Sequence, residues 1–182
     1  MRRLLFVLAF FVPNFCLGSD LYSEVARTIN SIRSGNKLPA LKNNQMLAAA
    51  AQSQSDWMSA VGRMDHMREP AKSFDEFRAC NHHPVNRVIN SGYYNFDDLF
   101  ETFKDSKGVS VRPRRETQLV DEIVAWGRAG KDAYRTDIIV AGWMRSPGHR
   151  KAILNPAFRD MGVGITSPVN GEVYWCVVFG KR

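Results

Sequence analysis

Four histidines are the side chains of this chain best suited to chemistry near neutral pH, namely His66, His82, His83 and His149. His149 has the most informative neighbours. Ser146 and Pro147 are residue types preferred at the N-cap and first position of a helix, which predicts His149 in the first helical turn. The positive end of a helix disfavours imidazolium, so we predict a neutral ring there. Such a ring can bind a metal or accept a proton, or it can simply cap or pack locally.

A second group of possible metal ligands is the tract Cys80-Asn81-His82-His83. It matches no closed four-ligand zinc pattern, because a second close pair of ligands is missing. Pro84 follows directly and favours a turn. A surface loop and a metal site therefore both stay open for this tract.

The first 18 residues have the pattern of a secretory signal peptide. Arg2 and Arg3 precede an apolar run over residues 4–12, and Cys16-Leu17-Gly18 ends the segment with a small residue. The run is shorter than the roughly 20 residues that a membrane-spanning helix needs. We predict cleavage near Gly18 or Ser19, with an uncleaved anchor as the alternative. A leader would then cover residues 1–18 and a single domain residues 19–182 of a secreted or periplasmic protein that is not integral to the membrane.

The charge of the chain is basic, with 25 Lys and Arg against 18 Asp and Glu and a formal net charge of +7. This excess favours solubility or contact with anionic walls, lipids or polymers. No basic run is interleaved with aromatic residues, so the sequence does not predict a nucleic-acid partner. Outside the leader, Cys80 and Cys176 remain, and export would permit a disulfide between them. Two buried thiols are the alternative.

Helical periodicity is clear at both ends of the domain. It predicts one helix from Leu21 that ends at Gly35, and a second that begins near Asn43 or Asn44 and ends at Gly62. The predicted buried face of the second helix comprises Leu47, Ala50, Ala51, Trp57, Met58 and Val61. A later helix, capped by Thr136 or Asp137, carries Trp143.

Two strands are predicted near the end of the chain, over residues 161–166 and 173–179. Asn170-Gly171 between them is a strong hairpin signal. The second strand is apolar on both faces, which indicates a sheet covered by helices on both sides. Residues 119–126 are apolar but do not distinguish strand from helix. The pattern alone therefore predicts an α+β domain in three layers.

The segment WMRSPGHRKAILNP, residues 143–156, resembles the signature of bacterial SCP-like domains in the CAP superfamily (cysteine-rich secretory proteins, antigen 5 and pathogenesis-related proteins). Residues 41–57, 64–66, 121–127 and 174–180 resemble other segments of that family. The resemblance implies a three-layer α-β-α sandwich of the CAP type. It also implies a cavity lined by two histidines and acidic side chains, which by matching position are His66, His149 and Glu122.

The sequence departs from the family pattern at several positions around these residues. Asp121 stands where the family has Gly before the acid, and Ile123 where it has Asn. Ser146 occupies the position of the second acid in many eukaryotic members, so the second cavity acid is either Asp137 or absent. The span 94–120 is also longer than in typical relatives, which predicts an insertion at the cavity rim.

Three functions agree with these features. The first is a binding module whose cavity holds a small ligand, a lipid, a wall component or a divalent metal. The second is a zinc-dependent, peptidase-like hydrolase in which His66 and His149 bind Zn²⁺ or another divalent cation and Glu122 is a ligand or the general base. The third is a structural or interaction protein with a non-catalytic His–Glu cluster. The sequence shows no credible covalent nucleophile, because a capping role explains Ser146.

Overall fold

The computed structural model describes residues 17–69, 73, 76, 81–106, 108–113, 119–128, 134–167 and 171–182. The helices are α1 (Leu17–Gly35), α2 (Gln45–Val61), α3 (Pro84–Asn90), α4 (Phe96–Leu99), α5 (Thr136–Arg145) and α6 (Pro147–Ile153). The strands are β1 (Lys42–Asn43), β2 (Phe100–Asp105), β3 (Gly108–Pro113), β4 (Val120–Arg128), β5 (Asp160–Thr166) and β6 (Glu172–Gly180). Within the described ranges, no helix combines the length and the apolarity needed to cross a membrane.

The main sheet has the strand order β1-β5-β6-β4. β6 pairs antiparallel with both β5 and β4, and the short β1 pairs parallel with β5. β2 and β3 form a separate antiparallel hairpin. The pattern of residues 119–126 fitted a strand or a helix. In the structure these residues lie mainly in strand β4, which pairs with β6 and completes the sheet.

Two hydrophobic cores cover the two faces of this sheet. Along β6, Trp175 and Val177 pack into one core, whereas Cys176 and Val178 pack into the other. The first core includes residues of α1, α5 and α6, and the second includes residues of α2 and α3. The predicted three-layer α-β-α sandwich is confirmed.

Helix α2 follows its local sequence signals closely. The Asn44 side chain accepts hydrogen bonds from the backbone N–H groups of Met46 and Leu47, and Gly62 ends the helix at a φ of 66°. Leu47 and Met58 are buried as predicted. Val61 is 50% exposed, so its predicted burial is wrong. It is the last helical residue and projects beyond the edge of the core.

The caps of the later helices differ from the prediction. α5 begins at Thr136, but Arg135 occupies its N-cap position without a side-chain capping bond. Ser146 does occupy the N-cap position of α6, also without a side-chain capping bond, and His149 lies in the first turn of that helix. The position of His149 is thus confirmed, although the backbone rather than the Ser146 hydroxyl defines the helix start.

Two glycines of β5 allow α2 to lie directly against the sheet. A Cβ atom on Gly162 would lie 2.0 Å from the backbone nitrogen of Ala48, and one on Gly164 would lie 2.3 Å from the carbonyl carbon of Ala51. These distances leave no room for any side chain. α2 is therefore held at a fixed distance from the sheet, and so is the loop that follows it.

Only one of the two cysteines that could form a disulfide lies in the described part of the chain. Cys176 is buried in β6 and has no disulfide partner among the described residues. Cys80 lies outside them, as does Asn170 of the predicted hairpin turn. A disulfide between Cys80 and Cys176 remains a prediction.

Candidate functional site

The two acidic residues of the site lie next to each other on β4, at one end of the sheet order. Ile123 packs into the core that α6 covers, and Val124 packs into the core that α2 covers. Side chains alternate along a strand, so Asp121 lies on the same side as Ile123, and Glu122 on the same side as Val124. The two carboxyl groups therefore project from opposite faces of an edge strand.

Two histidines meet around this edge. His66 comes from the loop after α2, and its Nδ1 lies 3.0 Å from Oε1 of Glu122. His149 comes from α6, and its ring centroid lies 6.4 Å from that of His66, with the ring planes at 52°. The structure thus brings the predicted residues His66, Glu122 and His149 together, although they are far apart in sequence.

Arg87 of α3 holds the second oxygen of Glu122. Its Nη2 lies 2.7 Å from Glu122 Oε2, and both side chains are 1% exposed. The same guanidinium donates hydrogen bonds to the backbone carbonyls of His66, Asn81 and His82. A buried, charge-assisted pair of this kind fixes the orientation of the carboxylate. Arg87 therefore positions both Glu122 and the loop that carries His66.

Burial is the main cause of the pKa shifts of His149 and Asp121. It lowers the pKa of His149, with a further lowering from His66 and an opposing effect from Asp121. This direction agrees with the predicted neutral ring, but burial rather than the helix terminus is the leading cause. Burial also raises the pKa of Asp121, against the effects of the Glu122 backbone N–H, His66 and Lys151.

A cavity of about 460 Å³ opens beside these groups. Four polar residues line it, His66, His83, Asp121 and Glu122, and we call this group the polar end of the cavity because His66 contacts Glu122 and Asp121 is its neighbour in β4. Its walls are apolar and are formed by Pro84, Val85, Leu99, Phe100, Leu119 and Val120. Leu99 and Leu119 lie on either side of the β2–β3 hairpin in sequence, so the long span 94–120 does contribute to the cavity wall.

The second histidine tract has mainly structural contacts. His83 Nδ1 accepts a hydrogen bond from the Val85 N–H at 3.3 Å and caps α3. The His82 carbonyl accepts from the backbone N–H of Arg68 at 3.0 Å as well as from Arg87. Nδ1 of His82 is buried and has no hydrogen-bond partner among the described residues, and Cys80 of the same tract lies outside them. Both a surface loop and a metal site therefore stay open for this tract.

The sequence matches the model of a known protein family. The model of the cysteine-rich secretory protein family, CAP, matches residues 26–179. The chain belongs to the CAP family. No curated protein matches the sequence.

Solved CAP structures show the same fold at low sequence identity. An outer surface protein from Borrelia burgdorferi has a TM-score of 0.62 at 18% identity, over 90% of this chain and 93% of that one. An extracellular protein with an SCP domain from Bacillus anthracis has a TM-score of 0.61 at 21% identity, over 90% of this chain and 41% of that one. A cysteine-rich secretory protein from Staphylococcus aureus has a TM-score of 0.52 at 15% identity, over 90% and 39%. This chain thus spans less than half of the last two.

The donor groups of this CAP domain do not fit a three-ligand zinc centre. Among the residues with described positions, no group of three or more His, Cys, Asp or Glu side chains could hold a metal ion. Both oxygens of Glu122 already face other partners, Arg87 and His66. Two imidazoles remain, so metal binding by His66 and His149 stays a prediction and we derive no reaction step from it.

Asp137 does not join the group formed by His66, Glu122 and His149. It lies in the first turn of α5 with a side chain that is 63% exposed, and it pairs with Arg135 at 2.6 Å. This pair lowers the pKa of Asp137. Asp121, the residue that departs from the family's Gly, also lines the cavity, although it lies on the opposite face of β4 from Glu122.

Sequence reasoning did not find Arg87. A single arginine in a seven-residue helix has no periodic pattern, and its partner Glu122 is 35 residues away. The available signal was indirect: a buried acid on an apolar strand needs a cation.

Proposed function

We propose that this protein is an exported CAP-domain binding module whose cavity takes a small ligand with an apolar body and a polar head. The observation that carries the proposal is a cavity of about 460 Å³ that is lined by six apolar residues and four polar ones. Ligand sites in proteins typically occupy about 300–1,000 Å³ and have this composition. Export is supported by the leader pattern of residues 1–18 and by the family to which the domain belongs.

The walls supply most of the free energy of binding in this proposal. Val85 comes from α3, Leu99 from α4 and Val120 from β4, so three separate elements enclose the apolar body. Burial of apolar surface contributes about 25 cal/mol per Å². A short alkyl chain can therefore bind without a specific partner for its head group.

The test uses 1-octanol, a ligand with a short apolar chain and a neutral head, in isothermal titration calorimetry. Saturable binding at a single site is expected for the wild type. Val85→Asp should weaken it by about tenfold or more, because the substitution places a charge in the apolar wall. Val61→Asp is the matched control, since Val61 is 50% exposed and does not line the cavity. Equal octanol binding by both variants would show that the ligand does not occupy this cavity.

A structural role for the His–Glu cluster is the second candidate function. The buried pair of Arg87 and Glu122 favours it, because these groups already satisfy one another without a ligand. A protein that binds neither octanol nor any other alkyl probe, yet unfolds when this pair is broken, would belong to this class. The geometry gives the hydrolase alternative no comparable support, because neither oxygen of Glu122 is left without a partner.

A further inference from the structure

The hydrogen bonds around Glu122 determine which ring nitrogen of His66 is free. Arg87 donates a hydrogen bond to Glu122 at 2.7 Å, and the Glu122 carboxylate can only accept hydrogen bonds. His66 Nδ1, at 3.0 Å, must therefore be the donor. In the neutral ring this leaves Nε2 as an acceptor. The His66 side chain is 42% exposed and lines the cavity.

Asp121 adds a second acceptor, and one with a negative charge. Among the described residues, its side chain accepts a hydrogen bond from the Glu122 backbone N–H at 2.9 Å and forms no ion pair. Glu122, in contrast, is neutralised by Arg87 at 2.7 Å. Lys151 acts on Asp121 from the exposed surface of α6, where solvent screens it. The polar end of the cavity therefore carries one negative charge that no described ion pair compensates.

His83 is the other histidine at this end. Its Nδ1 accepts from the Val85 N–H, so in the neutral ring its Nε2 carries the proton and donates. Because this group adds a donor without charge, it does not offset the charge of Asp121. A ligand head that donates hydrogen bonds and carries a positive charge complements the whole set best.

We propose that the head of the ligand is a cationic hydrogen-bond donor, a primary ammonium group on an apolar body, recognised by Asp121 and by Nε2 of His66. The inference rests on the proposed binding function and specifies its ligand class. Asp121 is the specificity-determining residue, because it supplies the charge. His66 contributes a directed acceptor whose orientation Glu122 and Arg87 fix.

The net charge of the chain opposes the binding of a cation. With 25 Lys and Arg against 18 Asp and Glu, the protein as a whole attracts anions and repels cations. Non-specific binding therefore favours a carboxylate head over an ammonium head. A preference for ammonium can only come from a local acidic group.

The experiment compares octylammonium, 1-octanol and octanoate by calorimetry near neutral pH. Octylammonium should bind about tenfold more tightly than octanol, since hydrogen bonds to charged groups are the stronger ones, and octanoate should bind most weakly. Asp121→Asn should weaken octylammonium binding by about tenfold and so abolish its preference over octanol. Asp137→Asn is the matched control, because it removes the same charge from an exposed residue outside the cavity.

The outcomes separate the inference from the proposed function. Octanol binding with no preference for ammonium, or with a preference for octanoate, overturns the inference and leaves the binding module intact. Equal losses of octanol and octylammonium binding in Asp121→Asn also overturn it, because they indicate a structural role for Asp121. If none of the three compounds binds, the proposed function itself is wrong.

Discussion

The guanidinium of Arg87 joins four parts of the chain beneath the polar end of the cavity. It contacts Glu122 on β4 and the backbone carbonyls of His66, Asn81 and His82. All of these partners accept hydrogen bonds, so the side chain cannot be removed without leaving buried acceptors unpaired. At the scale of single residues, the site depends on Arg87 as much as on the histidines.

Arg87→Met should lower the free energy of unfolding by about 3–5 kcal/mol, because it leaves the Glu122 carboxylate buried without its cation. Urea denaturation followed by circular dichroism measures the change. The double variant Arg87→Met with Glu122→Leu should recover part of the loss. Arg135→Met, which breaks the exposed pair with Asp137, is the control and should have little effect. A wild-type stability in Arg87→Met contradicts the assignment of this pair.

The stability of the protein should fall as the pH drops below about 6.5, the ordinary pKa of histidine. Burial lowers the pKa of His149 and of His83 in the folded state, with Arg87 as a further cause for His83. Between the unfolded and the folded pKa, the unfolded chain binds protons that the folded chain does not. The stability that the neutral rings contribute is therefore complete at a pH above the unfolded pKa and is lost as the pH falls through the folded pKa. The raised pKa of Asp121 acts in the opposite direction in a more acidic range.

Denaturation midpoints measured across this pH range test the prediction. The variant His149→Gln should flatten the dependence, because its side chain cannot be protonated. An equally steep decline in His149→Gln and His83→Gln would show that other groups cause it.

At the scale of elements, the contact between α2 and β5 sets the position of the loop with His66. Gly162→Ala should lower the free energy of unfolding by about 2 kcal/mol or more, because the new Cβ would lie 2.0 Å from the Ala48 backbone. Thermal unfolding measures this. Gly148→Ala is the control: it lies in α6 with open space around it and should be neutral or slightly stabilising. Similar stabilities of the two variants would show that α2 can shift.

The elements also show where sequence patterns suffice. Asn44 and Gly62 are local signals, and they predicted α2 to within two residues. The apolar residues on both faces of β6 predicted helices on both sides of the sheet. β4 remained ambiguous because a short apolar run fits a strand or a helix equally well, and only its pairing with β6 decides between them.

The site residues also differ in how well the sequence predicted them. His66, Glu122 and His149 were found through a family resemblance, since nothing local relates three residues so distant in sequence. Asp137 was the candidate that could replace the missing second acid from an earlier turn of the helix, but an exposed pair with Arg135 explains it. Asp121 drew attention only as a departure from the family pattern, because its role depends on which face of β4 it occupies.

At the scale of the whole molecule, export can be tested on the intact chain. Expressed with its full sequence in a bacterial host, the protein should be recovered from the periplasm or medium with the mass of residues 19–182, because the leader pattern predicts removal of residues 1–18. Intact-mass spectrometry of each fraction gives the result. A full-length mass confined to the membrane fraction would instead support the uncleaved anchor, and a full-length cytoplasmic product would contradict export.

The projection of Asp121 and Glu122 from opposite faces of β4 has a consequence for how the molecule opens. Glu122 rests on the layer of α2 and α3, whereas Asp121 faces the layer of α6, the helix that carries His149. A ligand that contacts both faces of β4 binds fully only while both helix layers are packed on the sheet. By linkage, its binding therefore stabilises the packing of both layers. Amide hydrogen exchange in α2 and in α6 should then slow together when the ligand binds, and two layers that open independently would become one cooperative unit.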